Sequence, residues 1–256
     1  MEIIECDSYS DFKVKLEQKL NEINDKLINP EIFYRGQSSV QWGLESTLQR
    51  NLKGKITSYN PVLYTRRLIE LYSSQEDDEA LSLLKNIKLE EEFEKIDKCE
   101  SVIWAVNHKI KEFWIHARHQ GKPSPLLDLT RNIDVATFFA FWNTFSEEVA
   151  IFMIVMTNKK PSLDAIKSAD ENILKIIDPI EIGVKRHLKQ DALYFTTTLI
   201  GDESNRHSFQ RMDERSLVYD SFYETDIYKF KIKEEDFRSV LAELDEIGVN
   251  VKQLFD

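Results

Sequence analysis

Cysteine is almost missing from this 256-residue chain, which has only Cys6 and Cys99. Two thiols cannot build a disulfide framework, and no CxxC pair or Cys/His spacing suited to zinc occurs, so a reducing, cytoplasmic setting is expected. Glycine and proline are scarce too, at 7 and 6 residues, and no Ser/Gly-rich tract divides the chain. That argues against two domains on a flexible tether and for one domain carrying a helical insertion at about residues 61–118. Long apolar runs are lacking: the longest, Val149 to Met156, is far short of the roughly 20 residues that span a bilayer. The acidic start, Met1 to Ser10, has neither the basic residues nor the apolar run of a signal peptide. The expectation is a soluble protein with no membrane association, and there is no repeat or low-complexity tract to suggest a solenoid.

Apolar residues make up 42% of the chain and aromatics 11%, enough for a substantial core. The net charge of −11 disfavours non-specific binding to nucleic acid or anionic membrane. The charge is unevenly spread, however. Between Arg35 and Arg67, six basic residues stand against the single acid Glu45, a local +5, and between Lys109 and Arg131 five stand against two, a local +3. The acids gather in Glu76 to Glu100 and Asp213 to Asp256. A basic site set in an acidic body suits a specific anionic ligand better than a polyanion.

Phe12, Leu16, Leu20, Ile23 and Leu27 recur at helical spacing, predicting an amphipathic helix that Asp7, Ser8 or Ser10 could cap. Next comes a short apolar strand, Ile32 to Arg35, ending in Phe33-Tyr34-Arg35-Gly36-Gln37. Guanidinium presents a rigid fork of donors matched to phosphate or carboxylate, and the adjoining glycine would let a ligand approach the backbone. The competing reading is a structural arginine paired with a buried acid beside a turn. Trp42, Leu44 and Leu48 follow as anchors, and residues 61 to 118 are mostly helical in pattern. The break at His119-Gln120-Gly121, Pro123 and Pro125 leads to a short strand or turn, Leu126 to Thr130, and then to a helix over Asp134 to Phe145 with the stripe Val135, Phe138, Phe139 and Trp142. Asp128, Thr130, Arg131 and Asn132 thus cluster before a helix N-terminus, where the dipole favours anions.

Further on, Val149 to Met156, Leu193 to Thr198, Ser216 to Asp220 and Ile227 to Ile232 read as strands, and Ser162 to Ile177 as a helix or irregular insert. Phe237, Val240, Leu241, Leu244 and Ile247 form a last amphipathic helix stopped by Gly248. Helices early and strands late predict an α+β class. His116 and His119 with Asp128 could approach a metal, but no second acidic cluster completes such a site.

These segments, in this order, resemble the FRG domain family, named for a Phe/Tyr-Arg-Gly start. Here that start is Phe33 to Gln37, followed by Trp42, Leu44 and Leu48. A second block of the family, His-x-Gly-x-Pro-x-x-Leu-Leu-Asp-x-Thr leading to an Ala-x-x-Phe-Ala helix, is similar to His119 through Thr130 and Ala136 to Ala140. A third, Arg followed by Gln, looks like Arg206 and Gln210, and a last one looks like Leu244 to Phe255. The chain departs from the pattern at Ser124-Pro125, at Leu129 where a tryptophan is usual, and at Arg211-Met212-Asp213-Glu214 where glycine and phenylalanine are usual.

The motif order of the family is similar to that of the ADP-ribosyltransferase superfamily, an association at the level of fold. The resemblance implies an ADP-ribosyltransferase-like mixed β core with N-terminal helices, the helical insertion and a C-terminal helix. It implies NAD as substrate, with Arg35 gripping its pyrophosphate or ribose, and Thr130 and Asp128 holding the nicotinamide ribose or orienting Arg35. Tyr34, Gly36, Gln37, His119 and Arg206 would complete the NAD site. His119 can equally be a capping or core histidine at a helix end. Glu214 or Gln210 would stand at the catalytic-acid position; only the carboxylate can stabilise an oxocarbenium-like state or act as base, so Glu214 is the expected acid and Gln210 a positioning group. The implied partner is a macromolecular acceptor, protein or nucleic acid, as for a bacterial toxin or phage-defence effector, and a cognate antitoxin or immunity protein would accompany a toxic enzyme. The rival expectation is a non-catalytic module that senses a nucleotide or holds a protein partner with the same residues.

Overall fold

In a computed structural model, residues 1–52, 58–59, 114–115, 118, 124, 126–142, 144, 148–156, 172–177, 189–199, 207–208, 217–219, 223–233 and 237–255 are described. They form a mixed α/β structure. In chain order the elements are β1 (Glu2–Cys6), α1 (Tyr9–Lys26), β2 (Glu31–Gln37), α2 (Thr47–Leu52), β3 (Ser58–Tyr59), β4 (Leu127–Thr130), α3 (Ile133–Phe141), β5 (Glu148–Met156), β6 (Asn172–Ile177), β7 (Ala192–Leu199), β8 (His207–Ser208), β9 (Leu217–Tyr219), β10 (Tyr223–Lys233), α4 (Phe237–Glu246) and α5 (Val251–Phe255). None of the described helices is long and apolar enough to cross a membrane.

The chain divides into two compact units, Met1–Leu44 with Asp128–Phe195 and Arg211–Asp256, and Glu45–Leu127 with Thr196–Gln210. The second unit contains α2 and the small antiparallel β3–β8 pair. Its described part is tied together by fully buried Ser124, whose hydroxyl donates to the Trp114 carbonyl at 3.2 Å and accepts from Leu126 N at 3.3 Å. The backbone of Ser124 also exchanges bonds with Thr47 and Leu48. Apart from Trp114, Ile115 and Arg118, the helical pattern expected over 61–118 lies outside the described residues.

The main sheet runs β1-β10-β5-β2-β4-β7-β6-β9, and β9 also pairs with β10, so the strand order closes on itself. Most pairings are antiparallel; β1–β10 and β6–β9 are parallel. Strands therefore occur from the first residues onward rather than late in the chain. β1 escapes a sequence reading because it is short and acidic and finds its partner more than 200 residues away. Over Asn172–Ile177, β6 stands where a helix or irregular insert was expected, and the rest of that stretch lies outside the described residues; a short apolar run carries no period that separates strand from helix.

Side chains alternate across the sheet, and the registers define its two faces. One face carries Tyr34, Met153 and Tyr228 in one cross-strand row, with Ile151, Phe230 and Ile232 beside it. Most of these join Tyr9, Phe12 and Leu16 of α1, Val135, Ala136, Phe138 and Phe141 of α3, and Val240, Leu244 and Leu254 in the principal core. α1 starts as expected, with the Ser8 hydroxyl accepting from Asp11 N at 3.1 Å. α4 ends at Gly248, whose φ of 84° suits a residue without Cβ, and Val249 N returns to the Leu244 carbonyl at 2.8 Å. The closing turn then lays Phe255 against Phe139 and Trp142 of the α3 stripe, with ring centroids 6.0 and 4.8 Å apart.

Burial in this core pushes the phenols of Tyr34 and Tyr9 up to about 12. A tyrosine that stays protonated when folded, but ionises near its ordinary value of about 10 when unfolded, favours the unfolded chain as pH rises through that window. Stability is expected to be level below pH 10 and to fall between 10 and 12 by up to about 1.4 kcal/mol per pH unit for each residue. Urea midpoints followed across that range check this, and Tyr34→Phe should reduce the slope; an unchanged slope would remove Tyr34 as a contributor.

Candidate functional site

Arg35 lies near the end of β2 and points to the sheet face opposite the helices. Phe152 is its direct neighbour on β5, and Lys229 is the neighbour of Phe152 on β10. Facing residues of antiparallel strands share a side, so Arg35, Phe152 and Lys229 form one row with its two cations roughly 10 Å apart at the backbone, two strand spacings. The next row contains Gln37 and Ala150, and the previous one Phe33 and Ile154.

The Arg35 side chain is 13% exposed, and its Nη1 donates to the Asp128 carbonyl oxygen at 2.6 Å while standing 3.9 Å from the Asp128 carboxylate. The short bond to a backbone acceptor fixes the rotation of the planar fork; the longer ion pair balances part of its charge. Both alternatives weighed for Asp128, orienting Arg35 and facing a ligand, are compatible with a carboxylate that is 37% exposed. Arg131, on the turn after β4, lies 5.9 Å above the Phe33 ring and 3.6 Å from Asp191.

Lys229 is only 5% exposed, yet it stands on the same face. Its ammonium donates to the carbonyls of Val40 at 2.7 Å and Trp42 at 3.1 Å and lies 5.0 Å over the Phe152 ring. Gln37, 3% exposed, donates from Nε2 to the Gly43 carbonyl at 2.9 Å, while its Oε1 is buried with no hydrogen-bond partner among the described residues. Two side chains of the sheet thus hold the segment 38–44 by three of its carbonyls. The sequence hid Lys229: in Tyr228-Lys229-Phe230-Lys231-Ile232 the alternation looks like a strand with one solvated face, and only the fold shows that segment 38–44 covers it.

Three expected ligand contacts are corrected. Tyr34, adjacent to Arg35 in a strand, points to the other face and is buried in the helix-side core, so it cannot stack on a ligand held by Arg35. Gly36 points the same way as Tyr34; a Cβ there would meet the Ala136 carbonyl oxygen and come within 2.6 Å of Ala140 N. The missing side chain makes room for α3, not for a ligand. Thr130 pairs with Tyr34 across β2 and β4, donates its hydroxyl proton to the Gln190 carbonyl at 2.7 Å and accepts from Asn132 N at 3.0 Å. Asn132 in turn accepts from Asp134 N at 2.8 Å and caps α3. Thr130 therefore builds the strand-to-helix turn, and the same capping engages the helix end that was expected to favour an anion. Trp42, expected as an anchor, is 49% exposed. His119, Arg206, Gln210 and Glu214 lie outside the described residues.

Residues 30–148 match the family model of the FRG domain. The chain carries an FRG domain. The match takes in β2, segment 38–44, β4 and α3, the elements that hold Arg35, Gly36, Asp128 and Asn132. It stops before Lys229, Arg206, Gln210 and the Leu244–Phe255 segment. No curated protein and no solved structure matches the chain. Within the FRG domain, the Arg-Gly pair serves two different ends, the arginine on the face of β2 turned away from α3 and the glycine beneath α3.

Proposed function

We propose that this FRG-domain protein binds a nucleotide through its phosphates at Arg35 and acts on NAD as an ADP-ribosyltransferase-like enzyme. The observation that carries the binding half is the guanidinium held by the Asp128 carbonyl on a row it shares with the second cation, Lys229. With Arg35 only partly balanced by Asp128, and with Lys229 nearby, the local charge stays positive and favours an anion over a neutral metabolite. The transfer half rests on the similarity of motif order, which would put Glu214 or Gln210 at the acid position, with Glu214 the proposed acid. In that reaction the bond between nicotinamide and the ribose C1′ breaks with its electron pair leaving on nicotinamide. An acceptor then bonds C1′ and gives up a proton, for which the Glu214 carboxylate is the proposed base. The proposed acceptor is a macromolecule, as for a toxin or defence effector held in check by a cognate inhibitor.

One observation favours the second reading, a non-catalytic nucleotide-sensing or partner-holding module: Thr130, a proposed ribose contact, is engaged in the α3 turn. The test incubates the chain with isotope-labelled NAD and a cell lysate, comparing wild type with Arg35→Ala and Glu214→Gln. Label on protein or RNA with wild type alone supports transfer. Nucleotide binding without nicotinamide release would establish the sensing module, and transfer unchanged in Glu214→Gln would remove that residue from the mechanism.

A further inference from the structure

We infer that Arg131 is the second arginine of the nucleotide site and takes one phosphate of a diphosphate while Arg35 takes the other. This deepens the nucleotide reading above and rests on it. Thr130 faces Tyr34 across β4 and β2, so the residue that follows it, Arg131, falls opposite Phe33. Facing residues of antiparallel strands share a side, and Phe33 lies two residues from Arg35 on one strand, so both arginines stand on the sheet face turned away from α3. The 5.9 Å from the Arg131 guanidinium carbon to the centre of the Phe33 ring agrees with that placement. The two arginines are diagonal neighbours, roughly 7–8 Å apart at the backbone.

Arg131 differs from Lys229 in access. Segment 38–44 is held by Gln37 and by Lys229 of β10, whereas Arg131 adjoins Arg35 from the β4 side, and its side chain is 44% exposed. Its backbone is nonetheless fixed. The Arg131 N–H donates to the Asp191 carbonyl at 3.2 Å, and the Thr130 hydroxyl beside it holds the Gln190 carbonyl at 2.7 Å. The threonine expected to meet a ribose thereby sets the arginine next to it. Opposing Arg131 is the Asp191 carboxylate at 3.6 Å, half in solvent and farther than a charge-assisted hydrogen bond reaches. An exposed ion pair of that length contributes little, so a phosphate oxygen that accepts from the guanidinium fork displaces it at small cost. Arg35 stands in the same relation to the Asp128 carboxylate, at 3.9 Å. Two neighbouring arginines, each loosely balanced by one aspartate, suit a ligand with two adjacent anionic groups, as in the diphosphate of a nucleotide.

Calorimetry with ADP-ribose, ADP and AMP, the last carrying a single phosphate, tests the assignment. Arg131→Ala is expected to weaken ADP-ribose and ADP about tenfold or more, the loss of a charge-assisted hydrogen bond, and to leave AMP little changed. Asp191→Asn should tighten both diphosphate ligands by removing the competing carboxylate. Its φ of 42° is one that asparagine also adopts, so the turn is kept. That gain should vanish once Arg131→Ala is added. ADP binding unchanged in Arg131→Ala but lost in Arg35→Ala would overturn the second arginine and leave the nucleotide reading standing, as would AMP weakened as much as ADP. Should Arg131→Ala be unstable, Asp191→Asn still decides: ADP affinity equal to wild type in that variant would overturn the assignment. No binding of any of the three nucleotides by wild type would overturn both.

Discussion

Gly36→Ala is expected to leave the protein unable to fold. The added Cβ would collide with the Ala136 carbonyl oxygen and sit 2.6 Å from Ala140 N and 2.8 Å from the Ala136 carbonyl carbon. All three are backbone atoms of α3, which cannot rotate away as a side-chain tip can. Ordinary overpacking costs roughly 1–3 kcal/mol because neighbours shift. Here α3 would have to lift from β2 as a body, carrying Val135, Phe138 and Phe141 out of the principal core. A cost above about 4 kcal/mol is expected, a large part of the 5–15 kcal/mol that holds a domain together. Expression in soluble form, near-ultraviolet circular dichroism and urea titration check it. A folded Gly36→Ala protein with a urea midpoint near wild type would show that the close approach of α3 to β2 is not required.

At the proposed nucleotide site, replacing Arg35 is expected to have its largest effect on ligand binding, and Arg35→Lys should recover little of what Arg35→Ala loses. A charge-assisted hydrogen bond contributes roughly 1.5–3 kcal/mol, so Arg35→Ala is expected to weaken ADP-ribose by about 10- to 150-fold. Lysine restores the charge but not the fork: a single ammonium on a flexible stem cannot hold the Asp128 carbonyl and a phosphate oxygen in two fixed directions. Calorimetry at low and high salt separates the two contributions, because screening weakens the general attraction more than a directed bond. Lysine performing as well as arginine would mean that the site needs only positive charge.

Local pattern carried much of the fold. The stripe from Phe12 to Leu27, with Ser8 before it, specified α1 and its cap, because spacing and capping chemistry are properties of neighbouring residues. Val149 to Met156, buried along its whole length, read as a strand for the same reason. β1 was not legible, since a short edge strand is defined by its partner. At the site, Arg35 and Asp128 stood out as charged residues at element ends, and the structure brings them together. Tyr34, Gly36 and Thr130 were grouped with them by proximity in sequence; the pleat turns Tyr34 and Gly36 away from Arg35, and Thr130 is engaged in the turn to α3.

What the sequence by itself determined about this protein is therefore local: where helices begin and end, which segments extend, and that an arginine terminates a strand in a basic stretch of an acidic chain. Tertiary structure alone decided on which face of the sheet each residue lies, because neighbours in a strand point oppositely and only the packed helices mark one side as core. It decided that the glycine beside Arg35 admits a helix, and that Lys229, nearly 200 residues away, closes the segment 38–44 over the arginine's face. Those are relations between distant parts of the chain, fixed by strand register and burial rather than by any spacing along it.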